Sequence, residues 1–270
     1  MAQKFYPVKD DIIFHLFFAD EKNSEFLISF LKSILSLSED DYEKIEIVDP
    51  HLLREFIGDK LGIVDVKLYT KTRKVIHIEI QLKVNPDLKN RIILYNSKLI
   101  AEQIGSGNNY DIIKKVVSII ITDEIFISGK SKYHHRFTYY DPEDLTEFTD
   151  IVEIHTLELN KLPSKDDGTT LYNWVKFIAA KSYDDLDKLA ERNKEIKMAV
   201  VKYKELTADE RTRMIYEARE KMRMDMEAQR RWDIKQSKFD IARTMIIDGE
   251  PIEKIVKYTN LTLEEVESLN

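Results

Sequence analysis

Apolar and polar positions alternate most cleanly from Ile76 to Lys83. Ile76, Ile78, Ile80 and Leu82 face one way, and His77, Glu79, Gln81 and Lys83 the other, which is the two-residue period of a β-strand. Upstream, Leu61, Ile63, Asp65, Lys67 and Tyr69 share one face of a second strand. The polar run Tyr69-Thr70-Lys71-Thr72-Arg73 between them reads as a turn. A hairpin centred near Thr72 sets Asp65 opposite Glu79. Directly opposed side chains are roughly 5 Å apart at Cβ, where like charges repel. A cation between the two carboxylates removes the conflict, and a divalent ion is the simplest candidate.

Helical spacing marks much of the remaining chain. Asp11 to Leu35 reads as two helices, with Ile13, Phe14, Phe17 and Phe18 as the first apolar stripe and Phe26, Leu27, Phe30, Leu31, Ile34 and Leu35 as the second. Ser38 to Asp41 supplies a capped turn, Lys44 to Val48 a short strand, and Gly58-Asp59-Lys60 a turn before the hairpin. Asp87 to Ile104 is a predicted helix with Leu88, Ile92, Tyr95 and Leu99 in register. After the stop at 105–109, the apolar run within 115–122 suits a buried central strand. Because it follows a helical crossover, that strand can run parallel to an earlier one. Strands are expected at 132–140 and 151–159, with a capped helical turn at Asp141 to Asp144 between them. Helices are expected at 171–180, 184–192 and 193–206.

Thr207-Ala-Asp-Glu210 has the form of a capping box opening a long charged helix to about Lys238. Beyond it, Gly249, Pro251 and the capping box Thr262 to Glu265 punctuate a small helical, helix-turn-helix-like module. Its expected core is Ile241, Met245, Ile252, Ile255, Val256, Leu261, Leu263, Val266 and Leu269. The last helix carries Glu264, Glu265 and Glu267, the wrong charge for a DNA groove, so an interaction role is preferred for the module. The predicted organisation is a domain at 1–206, a charged connector at 207–238 and the module at 239–270.

Composition narrows the chemistry. The 270 residues are 43% hydrophobic and 34% charged, enough for a sizeable core under a charged surface. With no Cys, thiolate metal sites and disulfides are excluded, and a cytoplasmic setting fits. The N-terminus lacks the apolar stretch of a signal peptide, and no run approaches a membrane span. A net charge of −7 argues against general nucleic-acid stickiness but allows a local basic groove beside acidic ligands.

Asp65, Glu79 and Gln81 offer the hard oxygens that Mg²⁺ requires, with Lys67 and Lys83 nearby for phosphate charge. The bland alternative is an ordinary solvated hairpin face. Asp65 with Glu79-Ile80-Gln81 resembles the Asp…(Asp/Glu)-x-Lys signature of the PD-(D/E)XK nuclease superfamily, Gln81 standing in the Lys place. Pro7 to Phe14 with Phe17, Phe26 to Leu35, Arg91 to Tyr95, Asn109 to Asp111 and the tail from Ile241 to Leu269 together resemble the Rpn family of recombination-promoting nucleases and transposases. The chain departs from that pattern at His15 and before Phe239.

The resemblance implies an α/β fold with a restriction-endonuclease-like core: helix, three-stranded antiparallel meander, helix and further strand, with added helices and an all-α C-terminal module. It implies an Mg²⁺-dependent DNA endonuclease acting in recombination, mobile-element or phage-defence contexts, with Mn²⁺ or Ca²⁺ as substitutes. Asp65 and Glu79 would be metal ligands and Gln81 catalytic. Asp11, or its neighbour Asp10, would complete the metal set, and Arg91, Lys67 and Lys83 would contact phosphate. DNA would be the partner and a homodimer through the C-terminal helices the assembly. The rival readings are a catalytically inactive DNA-binding or scaffold protein that keeps the fold, and an RNase.

Overall fold

The computed structural model describes residues 4–48 and 66–269. Leu61 to Asp65 of the expected hairpin and the expected turn at 58–60 lie outside the described residues. The chain divides into two compact units, Met1–Thr212 and Arg213–Asn270.

The first unit is α/β. Helices α1 (Asp11–Phe18), α2 (Ser24–Ile34) and α3 (Glu39–Tyr42) precede strands β1 (Glu46–Val48), β2 (Val66–Tyr69) and β3 (Val75–Ile80). Helix α4 (Leu88–Ala101) crosses to β4 (Val116–Thr122), followed by β5 (His134–Tyr140) and β6 (Glu147–Glu158). Helices α5 (Thr170–Ile178), α6 (Tyr183–Ala190) and α7 (Lys194–Ala208) end the unit. The strands form one sheet in the order β1-β2-β3-β4-β6-β5. β1, β2 and β3 pair antiparallel in chain order, β3-β4 and β4-β6 are parallel, and edge strand β5 is antiparallel to β6.

The β2-β3 register, Val66↔Ile78 through Tyr69↔Val75, is the one that a turn centred on Thr72 requires. A buried polar knot holds that turn. Asp41 forms a capping box with Ser38 on α3 and accepts Lys74 Nζ at 2.6 Å, Thr70 Oγ1 at 3.1 Å and the Thr72 hydroxyl. Burial pushes the Asp41 carboxyl up, but the hydrogen bonds from Lys74, Ser38, Thr72 and Thr70 outweigh it and hold it well below the usual carboxylate range. Arg73 takes the left-handed conformation, φ 67°, that closes the turn.

All six β3 residues are buried, so neither of its faces is a solvated hairpin surface. β3 and the wholly buried β4 lie inside the sheet, and α4 covers one face by setting Leu88 and Ile92 against Ile120 of β4 and Phe126 beyond it. A second apolar mass joins the N-terminal helices to α5. Trp174 packs tilted or edge-on among Phe18, Phe26, Phe30 and Phe177 with ring centroids 5.7–6.4 Å apart, and its Nε1–H donates to Ser29 Oγ at 3.0 Å.

Some expected boundaries move. β3 ends at Ile80 rather than Lys83, because the chain bends at Leu82-Lys83 ahead of Pro86. Asp141 to Asp144 is a hairpin turn, not a helix: Asp141 N–H donates to Thr146 O, and the Asp141 side chain takes Glu143 N–H in an Asx turn. Thr207 does not cap a helix. It is buried in the last turn of α7 with its hydroxyl on Tyr203 O, and Asp209 takes Thr212 N–H instead.

The next helix, α8 (Glu210–Ile247), runs without a break through position 238, so the expected connector and the first helix of the C-terminal module are one element. In the second unit α8 is followed by α9 (Ile252–Thr259) and α10 (Leu263–Glu267). Ala242, Ile255, Leu261 and Val266 form the core, with Phe239, Met245, Ile246, Ile252, Val256 and Leu269 packed against it. Ile241 and Leu263, expected inside, are exposed. Ala242 occupies the inward position one residue on from Ile241, and Leu263 opens α10 beside its capping Thr262. The Thr262–Glu265 capping box is formed.

Candidate functional site

The polar face of β3 carries His77 and Glu79, both buried. In the parallel register Glu79 lies beside Ile120 and His77 beside Ser118. The Ser118 hydroxyl donates to Asn96 Oδ1 on α4 at 2.5 Å, and the His77 ring meets the Tyr95 ring edge-on at 6.4 Å. Tyr95 is thus a packing aromatic between α4 and β3. Gln81 follows β3 directly, its N–H donating to Ile121 O at 2.8 Å. Glu79 and Gln81 therefore mark the carboxyl end of a central parallel pair, the end at which open α/β sheets bind their ligands.

Arg91 reaches this end from the first turn of α4. Its Nη2 donates to Glu79 Oε1 at 2.7 Å and also to Gln81 Oε1. The Glu79 side chain is fully buried and that of Arg91 is 27% exposed. Two oxygens from alternate strand positions thus converge on one cationic nitrogen.

The start of α1 comes to the same end of the sheet. Lys9 forms an ion pair with Asp123, which follows the last residue of β4. The next residue, Asp10, is the α1 N-cap, buried, with its carboxylate taking Ile12 N–H at 3.1 Å and Ile13 N–H at 3.5 Å. Asp11 is more exposed and takes Ile12 N–H at 2.9 Å. Lys83 is exposed in the bend beyond Gln81. Lys67 pairs with His77 across β2-β3, and its ammonium lies 3.1 Å from Glu102. Glu79, Gln81 and Arg91 are therefore brought together, whereas Lys67 is turned to a surface carboxylate. Among the described residues no three His, Cys, Asp or Glu side chains form a metal cluster.

Sequence reasoning missed a second buried polar chain, on the opposite side of the sheet. Lys115 and Arg136 both reach Glu153 Oε2 at 2.7 Å, Glu153 Oε1 meets His155 Nε2 at 2.6 Å, and His155 Nδ1 meets His134 Nε2 at 2.8 Å. Burial raises the Glu153 carboxyl, but hydrogen bonds from His155, Arg136 and Lys115 outweigh it, and the group stays well below the usual range. His134 is pushed down to about 4 by burial and by the neighbouring His155, His135 and Lys132. His135, its neighbour on β5, points to the other side, 3.7 Å from buried Glu158. The alternation of Glu153 and His155 through an apolar strand was the signal available for this chain.

Among the described residues, a mixed six-stranded sheet, a helix crossing from β3 to β4, and an acidic residue two before Gln81 at their carboxyl end fit a nuclease-type α/β core. Comparison with protein families agrees: the model described as PD-(D/E)XK nuclease family transposase matches residues 8–231. The chain belongs to that family. No curated protein and no solved structure matches it. No described helix is long and apolar enough to cross a membrane.

Proposed function

We propose that the chain is a metal-dependent DNA endonuclease of the transposase type, hydrolysing phosphodiester bonds. The observation that carries this reading is the convergence of Glu79 and Gln81 oxygens on one cationic group at the carboxyl end of β3. This donor chemistry fits a hard divalent cation. Glu79, Asp65 and Asp11 would hold it, with α1 tied to that end of the sheet by the Lys9–Asp123 pair. Mg²⁺ or Mn²⁺, when bound, supplies an acidified water and neutralises charge developing on phosphate. Gln81 orients the water or a phosphate oxygen through its amide. Arg91 and exposed Lys83 face the DNA backbone, and Lys67 joins them by leaving its surface pair with Glu102, which costs little.

The reading includes a homodimer through the C-terminal helices, supported by exposed Met224, Trp232 and Ile234 on α8. Light scattering on the purified protein tests it, a monomer at working concentration being the adverse result.

Plasmid nicking under Mg²⁺ or Mn²⁺ tests the chemistry. Wild type is expected to nick, with Glu79→Gln and Asp65→Ala losing at least about 100-fold, the scale of a lost electrostatic contact in an active site. The Arg91 pairing favours a second reading, an inactive DNA-binding scaffold, because it neutralises Glu79 without a metal. Equal inactivity of wild type and Asp65→Ala would sink the enzyme reading and leave the scaffold. Faster cleavage of RNA than of DNA in the same assay would instead assign an RNase.

A further inference from the structure

Arg91 is placed to do more than touch phosphate. Its Nη2 serves both Glu79 Oε1 and Gln81 Oε1, the two oxygens that the proposed reading gives to the metal site. A fully buried carboxylate needs a positive partner, and Arg91 supplies one. Gln81 suits this arrangement in a way that a cation at 81 would not: its carbonyl accepts from the guanidinium, whereas an ammonium there would repel it. A divalent ion on Glu79 Oε1 would be a like charge at the same oxygen. The two compete for that oxygen.

We infer that Arg91 is an exchangeable counter-ion. It neutralises Glu79 when no metal is bound, and an incoming divalent cation displaces it. Its side chain starts one turn into α4 and is 27% exposed, so the freed guanidinium has a path outward to a phosphodiester oxygen, which its fork of donors matches. Arg91 thereby couples metal entry to DNA engagement. This inference rests on the metal-dependent reading above.

Calorimetry with Ca²⁺, which separates binding from turnover, tests it on wild type, Arg91→Ala and Glu79→Gln. Losing the competitor should tighten Ca²⁺ binding by about 10- to 100-fold, the equilibrium equivalent of one hydrogen bond to a charged group. Glu79→Gln should bind far more weakly than wild type. On ¹⁵N-labelled wild type, the Arg91 Nε–H resonance should shift and its guanidinium rotation quicken as Ca²⁺ saturates the protein. That second measurement does not depend on the variant folding. Equal Ca²⁺ affinity in wild type and Arg91→Ala, or an Arg91 signal unmoved while Ca²⁺ binds, overturns the exchange and leaves the metal site standing. No Ca²⁺ binding by either protein overturns both.

Discussion

Replacing Asp41 by Ala should unfold the first unit far more readily than its position on a four-residue helix suggests. The Asp41 side chain is 0% exposed and accepts from Lys74, Thr70, Thr72, Ser38 Oγ and Ser38 N–H. Hydrogen bonds to a charged group contribute about 1.5–3 kcal/mol each, but these share one carboxylate and do not add. Lys74, 27% exposed, can rehydrate its ammonium, while Thr70, 2% exposed, cannot recover its partner from water. The cost of breaking a buried pair, about 3–5 kcal/mol, is therefore the right scale, and its lower half is expected. Urea denaturation followed by circular dichroism measures it, and hydrogen exchange should show the loss first at the β2-β3 turn. The folded carboxyl titrates below its ordinary value of 3.8, so the unfolded chain binds the proton first. The stabilisation is present above about pH 4 and is lost as pH falls further, a slope that Asp41→Asn should flatten. A destabilisation under about 1 kcal/mol, with unchanged exchange at Thr70 and Thr72, would refute the knot as the element holding the hairpin.

Other outcomes follow from the same reasoning. Trp174→Ala removes a fully buried ring from four aromatic neighbours and should cost about 3–5 kcal/mol, read as a lowered melting temperature. Proton NMR should find the His134 imidazole titrating near pH 4. Because the unfolded chain protonates His134 first, stability should fall as pH drops from 6.5 towards 4, and His134→Gln should remove part of that slope in thermal melts. Thr262→Ala breaks the α10 capping box and should loosen the second unit by about 1 kcal/mol, seen as faster amide exchange at Glu265.

The hydrophobic pattern by itself determined the α1-α2 pair, the turn centred on Thr72, the crossover helix before β4, and the division of β3 into an apolar and a polar face, since these depend on spacing along the chain. It also marked Glu79 and Gln81, because a carboxylate inside an apolar strand is anomalous wherever that strand sits. It misjudged what depends on neighbours distant in sequence. Whether Ile241 or Ala242 faces inward is a choice between adjacent helix positions, settled by where α9 and α10 pack. β3 ends at Ile80 because the chain bends away at Leu82-Lys83, although β4 still offers Ile121 O to Gln81 N–H.

Only the tertiary structure decided that both faces of β3 are covered, α4 lying over the face that carries Glu79. It alone paired Arg91 with Glu79 and Gln81, twelve and ten positions away, and linked Lys115 and Arg136 through Glu153 and His155 to His134. Charge pairing acts through space over a few ångströms, and no periodicity along the chain records which cation a fold will bring to which carboxylate.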